Sequence, residues 1–247
     1  MTDGDPARVG IVFVSHSAEL ANGIAEVAGQ MAPSVALVAA GGTDGGGIGT
    51  SFVKVTSAID EADAGAGAVV LSDLGSALMI AETVHDQLPD DQRLRVAIVD
   101  APFVEGGVAA AVAAETGGDL VAVVAAAEGA RQAWEGMAES ASPPASGAGS
   151  AGSGPSSEVR FVRDVTLRNK DGLHARPAAE FVKLANTFDV KVTVNGKDAR
   201  SLLGIMSLGL NVGASAEIVS NDPDGEAAVN ALADLVESGF GEALADT

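Results

Sequence analysis

One stretch of small and polar residues, ESASPPASGAGSAGSGPSSE at 139–158, limits how this chain can fold, because it offers almost nothing to bury. Such a composition is typical of flexible linkers. We therefore predict two folded domains, residues 7–135 and 158–245, joined by a Ser/Gly/Ala/Pro linker at 136–157. With 47% hydrophobic residues in a chain of 247, there is enough apolar material for two cores.

Before the linker, apolar runs alternate with segments of helical character. The predicted order is strand 9–14, helix 18–30, strand 35–39, a glycine-rich turn, helix 51–61, strand 68–71, helix 77–88, strand 95–99, helix 108–115 and a last short segment near 120–124. Continuous Val/Ile/Leu runs are typical of buried parallel strands. We predict an α/β domain with a doubly wound, mostly parallel sheet.

After the linker, strands and helices mix within fewer than 90 residues. The predicted order is strand 159–167, helix 175–187, strand 191–194, a tight Asn195-Gly196 turn, a short strand, helix 202–212, strand 217–220 and helix 225–237. Asn-Gly is a strong hairpin signal. This pattern predicts a small α+β domain, an open-faced sandwich with its helices on one face of an antiparallel sheet.

Charge and composition exclude several classes of function. The net charge of −20 argues against binding to nucleic acid or anionic membranes. The absence of cysteine excludes disulfides and thiolate chemistry. The start is acidic and polar, unlike a signal peptide, and no long apolar run is present, so we expect a cytoplasmic protein.

His16 follows the first apolar run, in VSHSAEL, and precedes a helix. At a strand-to-helix junction, free backbone N–H groups and the helix dipole disfavour the imidazolium and favour an anion. A neutral imidazole there can attack a phosphoryl group. The alternative is a capping or solvated histidine.

His174, in DGLHARPAAEF, has stronger local chemistry. Gly172 permits a tight turn, Arg176 offers a forked guanidinium to phosphate oxygens, and Pro177 suits the first turn of a helix. Arg163, Arg168 and Lys170 add positive charge nearby. These neighbours favour an anion over the alternative, an ordinary turn with a surface histidine.

The other candidates have weaker signals. The loop GGTDGGGIGTS, 41–51, lacks the lysine of a nucleotide P-loop, and it either lines a site or forms a long turn. His85 lies mid-helix among polar neighbours and is predicted to be solvated. No His and carboxylate cluster has metal-ligand spacing, and neither a metal nor a cofactor is expected.

Residues 159–240 resemble HPr, the histidine phosphocarrier of the phosphoenolpyruvate-dependent phosphotransferase system. The stretches NKDGLHARPAAEFVKLA and RSLLGIMSLGLNVGASAEIV carry the resemblance. It implies that His174 accepts phosphate from Enzyme I on Nδ1 and that Arg176 helps to hold the phosphate. It also makes Ser201 a candidate site of regulatory phosphorylation, although Ser201 equally suits a helix N-cap.

Residues 9–130 resemble the DhaM family, the phosphoryl-donor subunits of bacterial dihydroxyacetone kinase, whose domain has the mannose-type IIA fold. The resemblance rests on VSHSAELANGIAEVAGQM, GGTDGGGIGTS, VVLSDLGSALMIAET and VDAPFVEGGVAAAVAA. It implies that His16 is phosphorylated on Nε2 and that Asp73 orients its ring. Ser17 and Ser76 are predicted to bind or orient the phosphate beside it.

Together the resemblances imply a relay from Enzyme I to His174, then to His16, and then to ADP in the nucleotide-binding subunit of the kinase, beside its substrate-binding subunit. A homodimer through the first domain is expected. Leu202, Leu203, Ile205 and Met206 form either an apolar docking patch or part of the core. Two other functions remain open: a mannose-type IIA protein that feeds a sugar permease, and a regulatory phosphoprotein.

Overall fold

The computed structural model describes residues 7–140, 160–170 and 172–242, with 132–140 as backbone only. The chain divides into two compact units, Met1–Gln132 and Ala133–Thr247, which are described separately below. Most of the linker predicted at 136–157 lies outside the described residues. The three predicted domain ranges therefore stay predictions.

The first unit is a parallel sheet with helices between its strands. Its elements are β1 (Gly10–Ser15), α1 (Ala18–Met31), β2 (Leu37–Gly41), α2 (Phe52–Ala62), β3 (Ala68–Ser72), α3 (Gly75–Gln87), α4 (Asp90–Arg93), β4 (Val96–Val99), α5 (Phe103–Glu115) and α6 (Leu120–Ser140). The strand order is β2-β1-β3-β4, and all three pairings are parallel. The prediction of an α/β doubly wound sheet is confirmed.

Helices cover both faces of this sheet. Every residue of β1 is buried, which explains why its sequence is a continuous apolar run and does not alternate with polar residues. Helices α2 and α3 pack small apolar side chains against one face, and α1 and α5 pack together on the other. The abundant alanines permit this close approach of helices and strands.

Two predicted elements of the first unit were wrong at their limits. The helix expected at 108–115 begins at Phe103 and includes Gly106 and Gly107, although glycine is a weak helix former. Packing explains the glycine at 107, because a Cβ there would lie 2.5 Å from the ring of Phe13. The segment near 120–124 is the start of the long helix α6, not a short element. Asp119 accepts a hydrogen bond from the N–H of Ala122 and so caps this helix.

The second unit has an antiparallel sheet. Its elements are β5 (Phe161–Thr166), α7 (Ala175–Ala185), β6 (Thr193–Val194), β7 (Lys197–Asp198), α8 (Leu202–Met206), β8 (Ser215–Ser220), α9 (Glu226–Glu237) and a 3-10 turn (Gly239–Gly241). The strand order is β5-β8-β6-β7. The tight turn at Asn195-Gly196 connects β6 and β7, with both residues at positive φ.

Helix α9 packs against strands β5 and β8, and helix α7 packs against α8 and α9. Helix α8 is much shorter than the predicted 202–212, because Gly209 adopts a positive φ of 57° just after it. Leu202 and Ile205 are buried, whereas Leu203 and Met206 are half-buried. Of the four residues of the predicted docking patch, only Leu203 and Met206 are therefore partly accessible to a partner.

No helix in the described part of the chain is both long enough and apolar enough to cross a membrane.

The fit between α1 and the end of β2 gives a test of the first unit. A Cβ on Gly41 would lie 2.5 Å from the carbonyl oxygen of Ser17 and 2.6 Å from Cα of Ala18. We expect Gly41→Ala to lower the free energy of unfolding by about 1–3 kcal/mol. Gly23→Ala, on the exposed side of α1 with open space around it, should raise it by about 0.5–1 kcal/mol. Urea unfolding of both variants checks this; equal effects would contradict the packing described here.

Candidate functional site

His16 lies at the carboxyl edge of the parallel sheet, directly after β1. Strand β1 lies between β2 and β3 in the sheet. The chain passes from β1 to β2 on one side and then crosses to β3 on the other, so this edge is the topological switch point of the sheet. In open α/β sheets, ligands bind at such points. Asp73 follows β3 and is brought beside His16 because β1 and β3 are neighbours in parallel register.

Asp73 holds His16 through both carboxylate oxygens. Oδ1 lies 3.0 Å from Nδ1 of the imidazole, and Oδ2 accepts the backbone N–H of His16 at 2.9 Å. A carboxylate is only an acceptor, so Nδ1 carries the proton and Nε2 keeps its lone pair. The side chains of His16 and Asp73 are 22% and 11% exposed, so the ring remains accessible.

Further donors surround the Asp73 carboxylate. The hydroxyl of the buried Ser15 donates to Oδ2 at 2.8 Å, and the N–H of Leu74 donates to Oδ1 at 2.8 Å. Burial by itself raises the pKa of Asp73, but the hydrogen bonds from His16 and Ser15 outweigh it and hold that pKa below its usual value. Asp73 is therefore a stable anion that fixes one ring orientation. Sequence reasoning missed Ser15, although its place between the strand and His16 was a signal.

Nε2 of His16 points to the start of α3. The hydroxyl of Ser76, in the first turn of that helix, lies 2.8 Å from Nε2. The first N–H groups of a helix have no partner within it and attract anions. Ser17 has a different place: its hydroxyl accepts the N–H of Leu20 as the N-cap of α1 and donates to Glu19.

The glycine-rich loop borders this site. The N–H of Gly49 donates to the carbonyl of His16 at 2.9 Å, and that of Gly42 donates to the carbonyl of Ser15 at 3.0 Å. Lys54, at the start of α2, donates to the carbonyl of Gly41. Of the two possibilities left open by the sequence, these contacts favour a loop that lines the site.

His174 is the N-cap residue of α7 in the second unit. Before it, Gly172 adopts a φ of 65°, and a Cβ there would lie 2.5 Å from the carbonyl oxygen of Leu210. Glycine is therefore required for this turn. The ring of His174 is 41% exposed, at the N-terminal end of an amphipathic helix.

Glu242 is a partner of His174 that sequence reasoning missed. Its Oε1 lies 3.2 Å from Nε2 of His174. The residues are far apart in sequence, and only the return of the chain after α9 brings them together. Arg176, predicted to hold phosphate, lies with its Nε 3.5 Å from a carboxylate oxygen of Glu180 and is 68% exposed.

Two other predicted residues have clear structural roles. His85 is half-buried, and its Nε2 lies 3.1 Å and 3.2 Å from the carbonyl oxygens of Val96 and Arg93, so the prediction of a merely solvated side chain was wrong. Ser201 is the N-cap of α8 and accepts the N–H of Gly204. Among the described residues, no group of three or more His, Asp or Glu is placed to hold a metal ion.

Two family models match the chain. Residues 10–124 match the model described as the PTS system fructose IIA component, and residues 161–238 match that of the PTS HPr component phosphorylation site. The fold and the two histidine sites thus define the class: a phosphotransferase-system protein that combines a IIA domain with an HPr domain.

Three relatives narrow this class. The phosphoryl donor subunit DhaM of PEP-dependent dihydroxyacetone kinase from Escherichia coli is 34% identical over 95% of this chain and 51% of its own length. The phosphotransferase subunit DhaM of PTS-dependent dihydroxyacetone kinase from Lactococcus lactis is 36% identical over 46% of this chain and 89% of its length. The phosphocarrier protein HPr from Cupriavidus necator is 40% identical over 32% of this chain and 94% of its length.

The chain belongs to the DhaM family. It spans about half the length of the first curated relatives that it matches.

The hydrogen bonds of Asp73 predict a pH-dependent contribution to stability. Because the pKa of Asp73 is lower in the folded chain than its usual 3.8, the carboxylate stabilises the fold above that pH, and this contribution is lost as the pH falls through the lowered pKa. We expect Asp73→Asn to cost about 1–3 kcal/mol at neutral pH, with the difference from the parent chain shrinking on acidification. Urea unfolding at neutral pH and below 3.8 measures this.

Asp86→Asn, at an exposed position of α3, is the matched control and should leave the free energy of unfolding nearly unchanged. A pH-independent difference between Asp73→Asn and the parent chain would contradict the role given to the carboxylate.

Proposed function

We propose that this chain is a phosphohistidine relay protein that serves dihydroxyacetone kinase. The phosphoryl group passes from phosphorylated Enzyme I to His174, then to His16, and then to ADP bound in the nucleotide-binding subunit of the kinase. The observation that carries this proposal is the pairing of Asp73 with Nδ1 of His16, which leaves Nε2 as an accessible nucleophile. The names of the DhaM relatives support the kinase as the destination.

His16 would accept the phosphoryl group by in-line attack. As the bond from Nε2 to phosphorus forms, the bond from phosphorus to Nδ1 of His174 breaks, so no water is consumed and no proton need leave Nδ1 of His16. The positive charge that develops on the attacked ring is stabilised by the Asp73 carboxylate beside it. The hydroxyl of Ser76, which lies 2.8 Å from Nε2, would donate to a phosphate oxygen.

His174 would accept phosphate on the opposite nitrogen. Its Nε2 faces Glu242, so Nδ1 is the ring atom left for attack. The free N–H groups at the start of α7 would hold the phosphate oxygens. Arg176 would add a guanidinium once its pair with Glu180 opens; that pair is exposed and weak.

The chain would thus act as the phosphotransferase subunit of a multi-component kinase. Its partners would be Enzyme I and the nucleotide-binding and substrate-binding subunits, with a homodimer through the first domain and a cytoplasmic location. Phosphoryl transfer between two histidines depends mainly on positioning and charge, which both sites would supply. The DhaM relatives favour this destination over a sugar permease.

The order of the relay is testable with two variants. The full chain is incubated with phosphoenolpyruvate, Enzyme I, the two kinase subunits and dihydroxyacetone, and product is measured. We expect His16→Ala to form no product while phosphate accumulates on His174, and His174→Ala to form no product and to leave His16 unphosphorylated. His85→Ala, which removes the third histidine, is the control and should retain product formation. Product formation by His16→Ala would refute this order.

The phosphorylated nitrogen differs between the two sites in this proposal. Phosphorus and nitrogen NMR of the phosphorylated chain should show one phosphohistidine bonded at Nε2, from His16, and one at Nδ1, from His174. The His16→Ala chain should show the Nδ1 signal alone. The same isomer at both sites would contradict the ring orientations set by Asp73 and Glu242.

A further inference from the structure

Ser15 is a buried hydroxyl at the end of a strand that is otherwise apolar. Strand β1 has the sequence GIVFVS, all six of its residues are buried, and Ser15 itself is 0% exposed. Parallel strands that are buried on both faces normally carry aliphatic side chains, and a buried hydroxyl is unfavourable unless it forms hydrogen bonds. The packing of the sheet therefore does not explain why a serine stands here.

The hydroxyl of Ser15 joins the start of α1 to Asp73. Its Oγ accepts the backbone N–H of Ser17 at 3.0 Å and lies 2.8 Å from Oδ2 of Asp73. A backbone N–H only donates and a carboxylate only accepts, so the single hydroxyl proton is directed at Asp73. The direction of this hydrogen bond is thus fixed by the two neighbours of Ser15.

This hydrogen bond restrains the carboxylate that contacts the histidine ring. Oδ2 of Asp73 accepts from Ser15 and from the backbone N–H of His16, whereas Oδ1 lies 3.0 Å from Nδ1 of the ring. A rotation of the carboxylate that turned Oδ1 away from the ring would break the contact between Oδ2 and Ser15. Ser15 therefore holds Oδ1 against Nδ1.

Ser220 has the same arrangement without a carboxylate. It is the last residue of β8, is 1% exposed, and accepts the N–H of Asp222, again two residues further on, at 3.2 Å. Its hydroxyl donates to the backbone carbonyl of Lys191 at 2.8 Å. A buried serine at a strand end can thus be satisfied by the main chain alone. At Ser15 the acceptor is instead the side chain that holds the histidine, which a role limited to the strand end does not require.

We propose that Ser15 is a positioning residue that orients the Asp73 carboxylate, keeps the proton on Nδ1 of His16 and so makes Nε2 the more reactive nucleophile. This inference rests on the proposed function, because it assumes that His16 is phosphorylated on Nε2. Ser15 acts through Asp73 and, being fully buried, is not offered to the phosphoryl group itself.

The test measures how fast His16 reacts with phosphoramidate, a small phosphoryl donor that needs neither Enzyme I nor a docked partner. The full chain carries His85→Ala and His174→Ala and serves as the parent, since His16 is then its sole histidine. As the bond from Nε2 to phosphorus forms, the phosphorus–nitrogen bond of the reagent breaks and ammonia leaves. Phosphorus NMR follows the phosphohistidine at Nε2.

We expect Ser15→Ala to lower the second-order rate constant of this reaction about tenfold, because the ring is no longer held in one orientation. Ser15→Thr keeps the hydroxyl and should recover most of the rate. Ser220→Ala is the matched control, since it removes a buried hydroxyl with the same pattern at a strand end, and it should react like the parent.

A double-mutant cycle with Asp73→Ala tests whether Ser15 acts through the carboxylate. Once Asp73 has been removed, Ser15→Ala should cause no further loss of rate. Losses that multiply would show that Ser15 acts independently of Asp73, through the packing of the strand, and would overturn the proposal.

Nitrogen NMR of the labelled imidazole gives a second readout that a loss of packing alone would not change. The neutral ring of His16 should carry its proton on Nδ1 in the parent and in Ser15→Thr, with an increased share of the other tautomer in Ser15→Ala. A parent rate in Ser15→Ala, an unchanged tautomer in Ser15→Ala, or an equal loss of rate in Ser15→Ala and Ser15→Thr would each contradict the role given to Ser15.

These measurements separate the role of Ser15 from the relay. If His16 reacts with phosphoramidate in a way that depends on Ser15, but receives no phosphate from Enzyme I through His174, the relay is refuted and the role of Ser15 stands. If the relay operates and Ser15→Ala behaves like the parent, the relay stands and the role of Ser15 is refuted.

Discussion

The contact between Asp73 and His16 is the interaction on which the first unit's candidate chemistry depends. It exists because two parallel strands end side by side at the switch point of the sheet, so residues that are 57 apart in sequence share one edge. Asp73 accepts from the ring and from the backbone of His16, and it also accepts from Ser15. The carboxylate therefore fixes the ring and the backbone together. Without it, either nitrogen of His16 would be free to carry the proton, and no single atom would be the nucleophile.

In both sites a carboxylate holds one nitrogen of the histidine ring, but the carboxylate comes from a different kind of element in each. In the first unit the carboxylate comes from a neighbouring strand end in a parallel sheet, whereas in the second it comes from the turn after the last helix. The carboxylates hold opposite ring nitrogens, Nδ1 of His16 and Nε2 of His174. Each histidine also stands at or just before a helix N-terminus, where unpaired N–H groups favour an anion. In the proposed relay, the fold would thus set both the reactive atom and the place of the phosphate.

Much of the fold could be predicted because the strands are buried on both faces. A continuous run such as VGIVFV allows few alternatives, and the parallel α/β sheet followed from several such runs. The prediction failed where packing overrides local preference. The low helix propensity of Gly106 and Gly107 argues against a helix, yet helix α5 includes both. Glycine is needed at 107 because the ring of Phe13 occupies the space that a side chain there would need. Helix α8 ends at Met206, and Gly209, three residues further on, has a positive φ that no periodicity reveals.

The sequence by itself determined the secondary structure of the sheet, the two histidines, and the residue types around them, because these depend on local composition and on short motifs. Asp73 was predicted only through a resemblance, and Ser15 and Glu242 were not predicted. These roles depend on hydrogen bonds between residues that are 58 and 68 positions apart in the sequence. Local motifs and spacing do not reveal such long-range contacts. Only the tertiary structure decided which nitrogen of each ring is held, since that depends on the position of one carboxylate to within a hydrogen-bond length.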